Sequence, residues 1–202
     1  MSDNIESILS EIEFLIARKN VAKRGLLPKN KYIDLLIQIK TQYGILASLY
    51  MQKGENLFAF QALLCSADIL FEVCELEPKQ IRINKLDVLL DRLTKITADC
   101  YDLNLNRRAF VAIGHLNYYL GNYIVAEEYI QKAFDDFDYS MSTFQLYIKV
   151  LDKQRKYEKM LTLTKEYLTM SPGFHDKCSL ECLSVPNILH SLYAPAYKEL
   201  FY

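Results

Sequence analysis

The feature that most constrains the fold is a recurrence. Shifting the sequence by 34 residues lays Phe110 over Phe144, Tyr123 over Tyr157 and Asp138 over Pro172. Shifting it by 67, one residue short of two periods, lays Tyr43, Leu46-Ala47, Tyr50, Gly54 and Ala59 over Phe110, Ile113-Gly114, Asn117, Gly121 and Ala126. A fixed period of roughly 20–50 residues implies stacked supersecondary units, because one short unit cannot bury its own apolar face and must share a core with its neighbours.

Within each period the apolar residues are spaced as helices. Over residues 30–52 the pattern is Ile33, Leu36, Ile37, Tyr43, Leu46, Ala47 and Tyr50, broken at Lys53-Gly54-Glu55. Residues 56–74 then carry Leu57, Phe60, Leu63, Leu64, Ala67, Leu70 and Phe71, so the two segments are predicted to form an antiparallel hairpin. The same grammar returns over 107–119 and 123–137 around Leu120-Gly121-Asn122, and over 140–152 and 156–170 around Lys153-Gln154-Arg155. Only 6 Gly and 5 Pro interrupt 202 residues, which favours long helices, and almost no sheet is expected.

An additional helix is expected over residues 3–18, where Ile5, Ile8, Leu9, Ile12, Leu15 and Ile16 form one stripe. Arg18, Lys19, Lys23, Arg24, Lys29 and Lys31, interleaved with Gly25 and Pro28, read as a basic connector. A longer helix is expected over 79–103 from Ile83, Leu86, Leu89, Leu90, Leu93 and Ile96, ended by Asn104-Leu105-Asn106. The expected organisation is a single helical-repeat domain over 1–202. It comprises an N-terminal helix and connector (1–29), hairpin 1 (30–74), a degenerate repeat or one long helix (75–106), hairpin 2 (107–139), hairpin 3 (140–172) and a C-terminal capping segment (173–202).

Phe110-x-x-Ile113-Gly114, then Gly121, then Ala126-x-x-x-Ile130 and Ala133 resembles a tetratricopeptide repeat, whose pattern is aromatic-x2-Leu-Gly, then Ala-x3-aromatic, then Pro. Two positions depart from it: Asn117 stands where Tyr is usual, and Asp138 where Pro is usual, although Pro172 supplies that proline in the next period. The resemblance implies an all-α fold of antiparallel helical hairpins stacked as a right-handed superhelical array. In that family the first helices of the hairpins line a concave groove. Transferred by register, the groove receives Ser48, Met51 and Gln52 from hairpin 1, Arg108, Val111, His115, Tyr118 and Tyr119 from hairpin 2, and Gln145, Lys149, Asp152 and Lys153 from hairpin 3. Tyr and Arg anchor many interfaces, which singles out Tyr118, Tyr119 and Arg108. Chaperone-binding members hold a peptide's terminal carboxylate with Lys, Asn and Arg; here the equivalent positions are Gly44, Ser48, Ala112, Ser142 and Leu146, with only Arg108 suitable, so no such clamp is expected.

A net charge of -1 supplies no global field for nucleic acid or anionic lipid. The N-terminus is acidic where a secretory signal would be basic, and no apolar run is expected to reach the roughly 18 residues of a membrane span. An intracellular protein, cytoplasmic or nuclear, is expected, without membrane insertion. The odd number of cysteines, 5, reads as reduced thiols rather than a disulfide framework. No glycine-rich phosphate loop, nucleophile elbow or His-Glu-x-x-His is present, and no cofactor is expected. The acidic run Asp135, Asp136 and Asp138 reads as a solvated helix end. His175, Cys178, Cys182 and His190 have the donor types of a zinc site but not a finger's spacing, so they stand as a weak metal candidate.

The expected function is non-enzymatic: an adaptor or scaffold subunit that binds a partner's helix or peptide in its concave groove. The alternative is an RNA-binding helical-repeat protein using residues 18–31 with Arg108, Lys149 and Lys153. Apolar stripes on the terminal elements leave homo- or hetero-oligomerisation open, with the first helix either closing the groove or dimerising.

Overall fold

A computed structural model of the chain describes residues 2–22, 27–76, 83–98, 102–135 and 140–170. Among the described residues there are eight α-helices and no strand, so the all-α class holds. In chain order they are α1 (Ser2–Val21), α2 (Lys29–Gln52), α3 (Asn56–Leu76), α4 (Ile83–Ala98), α5 (Leu103–Leu120), α6 (Tyr123–Asp135), α7 (Met141–Lys153) and α8 (Tyr157–Met170).

The turns carry the recurrence into the backbone. Gly54 and Gly121 are left-handed at φ +74° and +83°, and Arg155 adopts the same region at +57°. These three positions are separated by the same 67 and 34 residues as the sequence matches. After α2, Glu55 N–H donates to the Tyr50 carbonyl at 2.9 Å and Gly54 N–H to that of Met51 at 3.1 Å. After α7, Lys156 N–H donates to the Leu151 carbonyl and Arg155 N–H to that of Asp152, both at 3.0 Å. Both are Schellman caps, which satisfy the last carbonyls of a helix and require a left-handed residue at that point. The next helix begins at once: Ala59, Ala126 and Met160, three positions equivalent by register, each close the first turn of α3, α6 and α8 and are fully buried.

The chain divides into two compact units, Met1–Leu120 and Gly121–Tyr202. In the first, α3 is the centre. It packs on α2, α4 and α5, and α1 packs on α2. Leu15, Ile33, Leu36, Ile39, Ile69 and Val73 form the shared core of α1, α2 and α3. The central position explains its composition: an 18-residue window of α3 has mean hydropathy 1.7, long and apolar enough by composition to cross a membrane. That overturns the expectation that no apolar run reaches this length. In the folded unit 61% of that window is buried within the protein, because neighbouring helices cover several of its sides. In the second unit, α7 packs on both α6 and α8, with Phe144 and Tyr167 stacked at 4.2 Å between centroids.

Several element boundaries differ from expectation. Arg18 and Lys19 lie in the last turn of α1, while Lys29 and Lys31 open α2, so the basic residues belong largely to helices. Lys19 is held by Glu72 of α3 at 2.5 Å, and Tyr32 donates to the same carboxylate. Leu9 drops out of the α1 stripe and is exposed, leaving Ile5, Ile8, Ile12 and Leu15 buried. Asn104-Leu105-Asn106 does not punctuate: it lies within the first turn of α5, where Asp102 caps the helix by accepting from Leu105 N–H at 2.9 Å. Asn117, which stands where the resembled pattern has Tyr, is buried, and its amide donates to the Ile113 carbonyl at 2.9 Å. The capping segment 173–202 lies outside the described residues.

Candidate functional site

The first unit contains a cleft of about 390 Å³ between α2 and α4. Helix α2 supplies its long wall through Lys40, Thr41, Gly44, Ile45, Ser48, Leu49 and Gln52. These recur every three or four residues, the spacing that aligns side chains on one helix face. Leu63 and Ser66 of α3 also line the cleft, and Val88, Leu89 and Arg92 of α4 supply the opposite wall. Helix α4 is fixed there by the stripe Leu86, Leu89, Leu93 and Ile96, all buried. Val88 falls off that stripe and stays 61% exposed.

Polar groups in the cleft are organised by Arg92. Its guanidinium donates to Ser48 Oγ at 3.2 Å and approaches Met51 Sδ at 4.0 Å. Ser48 Oγ donates in turn to the Gly44 carbonyl at 3.0 Å, and Ser66 Oγ to the Lys40 carbonyl at 3.4 Å. Among the described residues the Arg92 guanidinium has no carboxylate within ion-pair distance; the adjacent Asp91 is paired with Lys95 at 2.8 Å. Lys40 and Arg92 are the charged side chains of the lining, and no Asp, Glu, His or Cys is among it. A Cβ built on Gly44 meets nothing within 4 Å, so the cleft is open above that residue. The arrangement can hold anionic groups beside apolar side chains. It offers neither a nucleophile with its base nor a metal ligand set.

The structure divides the groove residues expected from register. Ser48 and Gln52 line the cleft, and Met51 touches it through Arg92. The α5 residues are placed elsewhere. Arg108 pairs with Asp68 of α3 at 3.2 Å, and the His115 ring lies 4.2 Å from that of Phe71 on α3. Tyr119 stacks on His115 at 5.0 Å, with Tyr118 edge-on to it at 5.6 Å, while Val111 is half-buried. These rings pack along the flank of α3, and burial pushes the Tyr119 hydroxyl well above the usual tyrosine range. Within this unit α4, not α5, faces α2 across the cleft. Gln145, Asp152, Lys149 and Lys153 lie on α7 in the second unit, the first two half-buried and the lysines exposed.

Lys40 and Thr41 of α2 were not among the groove residues expected from register, and Val88, Leu89 and Arg92 of α4 were missed because that register took no residue from 75–106. A signal existed: Val88 and Arg92 are four residues apart and off the Leu86-Leu89-Leu93 stripe, an apolar residue and a cation sharing the outward face of one helix.

Other reactive groups are quiet. Burial pushes the Cys65 thiol up, and that of Cys74 to about 12, so both stay protonated at neutral pH. Among the described residues no group of three or more His, Cys, Asp or Glu is placed to hold a metal. His175, Cys178, Cys182 and His190 lie outside them, as do Asp136 and Asp138. In the second unit the nearly buried Glu127 accepts from Lys156 Nζ at 2.5 Å, Lys159 Nζ at 2.6 Å and Gln154 Nε2 at 2.8 Å. That cluster joins α6 to the start of α8.

No protein-family model matches the chain, and no curated protein matches it.

Proposed function

We propose that the chain is a divergent tetratricopeptide-like array acting as an adaptor or scaffold subunit, and that it holds a helix or peptide of a partner protein in the α2–α4 cleft. The observation that carries this reading is the cleft itself. Ile45, Leu49, Val88 and Leu89 give it apolar walls, while Ser48, Gln52, Lys40 and Arg92 give it the few polar groups that set orientation. The recurring left-handed turns at residues 54, 121 and 155 support the repeat reading. Exposure of Ile45 and Val88 beside the cleft supports a protein ligand, since exposed apolar side chains gathered at one groove are typical of interfaces.

The test is a tagged pull-down from native extract with the full chain, its Gly44→Leu variant and a Leu57→Ser surface control. A stoichiometric protein retained by wild type and Leu57→Ser but lost with Gly44→Leu is the expected result. Undiminished recovery of the same protein by Gly44→Leu would move the interface to another face, and recovery of RNA in its place would favour the helical-repeat RNA-binding reading.

A further inference from the structure

We propose that α1 is a homodimerisation helix whose outward face pairs with α1 of a second copy of the chain, antiparallel and about a two-fold axis. This surface is separate from the α2–α4 cleft, whose lining takes nothing from α1.

The helix has two working faces. Ile5, Ile8, Ile12 and Leu15 are buried, and α1 packs on α2. On the side turned away from that stripe, Ser10, Glu11, Phe14, Ala17, Arg18 and Val21 are all exposed. Ser10, Phe14, Ala17 and Val21 are spaced four, three and four residues apart, the seam of a two-helix pair, and Glu11 and Arg18 lie seven apart along one edge of that seam. Phe14 is 61% exposed and Val21 53%, so the apolar part of this face has little cover from its own chain. The face is also hollow: Phe14, Ala17, Arg18 and Val21, with Ala22 and Leu27, line a recess of about 370 Å³. The first four stand at i, i+3, i+4 and i+7, the corners of the hole into which a facing helix inserts a side chain.

Side-chain size sets the register. With Phe14 opposite Ala17 of the second copy, Val21 falls opposite Ser10, so each large side chain meets a small one and Phe14 of the second copy enters the recess around Ala17. Charge sets the direction. In an antiparallel pair, like edges of the two helices face each other, so in this register Glu11 meets Arg18 of the second copy, and the two-fold axis repeats the contact. On the other edge Glu13 meets Asn20, and no like charges are opposed. A parallel pair would set Glu6 against Glu11 of the second copy instead.

Both charged groups can enter such a pair. Among the described residues neither Glu11 nor Arg18 has an ion-pair partner. The Arg18 guanidinium lies over the Phe14 ring at 5.8 Å, an attraction to the ring that leaves its N–H donors for a carboxylate. One edge of one helix therefore carries both halves of the ion pair, at the separation that a two-fold axis requires. That self-complementarity is what selects a second copy over an unrelated helix.

The experiment is sedimentation velocity and equilibrium of the full chain over roughly 1–100 μM, with variants at exposed positions of α1. Wild type should form a concentration-dependent dimer, and Phe14→Ser should be monomeric with unchanged far-ultraviolet circular dichroism. Glu11→Arg and Arg18→Glu should each weaken the dimer about tenfold, since each turns two attractive contacts into two repulsive ones. The double variant Glu11→Arg/Arg18→Glu should restore wild-type association, and Gly44→Leu should leave it unchanged. A wild-type monomer throughout that range, or a dimer that persists in Phe14→Ser, would overturn the proposal. A dimer strengthened by Glu11→Arg, or not restored by the double variant, would overturn the antiparallel pairing, and one lost with Gly44→Leu would place the contact at the cleft instead.

Discussion

Glu127 shows how a single ionisable residue can organise a unit. Its carboxylate is 9% exposed, and burial by itself would raise its pKa; hydrogen bonds from Lys156, Lys159 and Gln154 outweigh that and hold it below the usual glutamate range. Burial would likewise lower Lys159, but Glu127 and Tyr147 leave it raised. A depressed carboxylate stabilises the folded state above its unfolded value of about 4.3 and loses that contribution as pH falls through the folded value. The second unit should therefore lose stability as pH drops from about 4.3 downward. In Glu127→Gln that acid dependence should be shallower and stability near neutrality lower by about 2 kcal/mol. Thermal melts from pH 3 to 7 check both. Asn117 carries a different lesson at this scale: where the resembled pattern has Tyr, a buried amide donates to the Ile113 carbonyl.

Among the elements, the turns carry the 67- and 34-residue recurrence most clearly, because a left-handed residue is a backbone requirement that does not depend on the side chains around it. Two of the three left-handed positions are glycine and the third is Arg155, at φ +57°. A residue with a Cβ pays roughly 1–2 kcal/mol for that conformation. Arg155→Gly should therefore stabilise the chain by about 0.5–1 kcal/mol, part of the relief being offset by the freer unfolded chain. Urea titration followed by circular dichroism reads this directly; an unchanged or lower midpoint would mean that the Arg155 side chain contributes more than its backbone strain costs. The eight described helices were legible from apolar spacing and turn residues, α4 as the inner part of the helix expected over 79–103. The start of α5 was not, because Asn104 and Asn106 read as breakers until Asp102 is seen to cap the helix before them.

For the whole molecule, the first unit contains its own core and its own cleft, so residues 1–120 expressed alone should unfold cooperatively. Phe60→Ala, at a fully buried site, should cost about 3–5 kcal/mol both in that fragment and in the whole chain. Urea denaturation of the four proteins tests this, and a gradual, non-cooperative fragment would show that the first unit depends on the rest of the chain. The sequence by itself determined the helical class, the turns at residues 54, 121 and 155 and the small buried residues at matching positions, because apolar period and turn chemistry act over a few residues. It also pointed to Ser48, Met51 and Gln52, which share a helix face with the cleft lining. Only the tertiary structure decided that α4 stands across from α2, that α5 turns Arg108, His115 and Tyr119 toward α3, and that Lys40 and Arg92 meet one groove. Such pairings depend on which helix covers the exposed flank of α3, and residues 40 or more positions apart carry no local pattern that announces them.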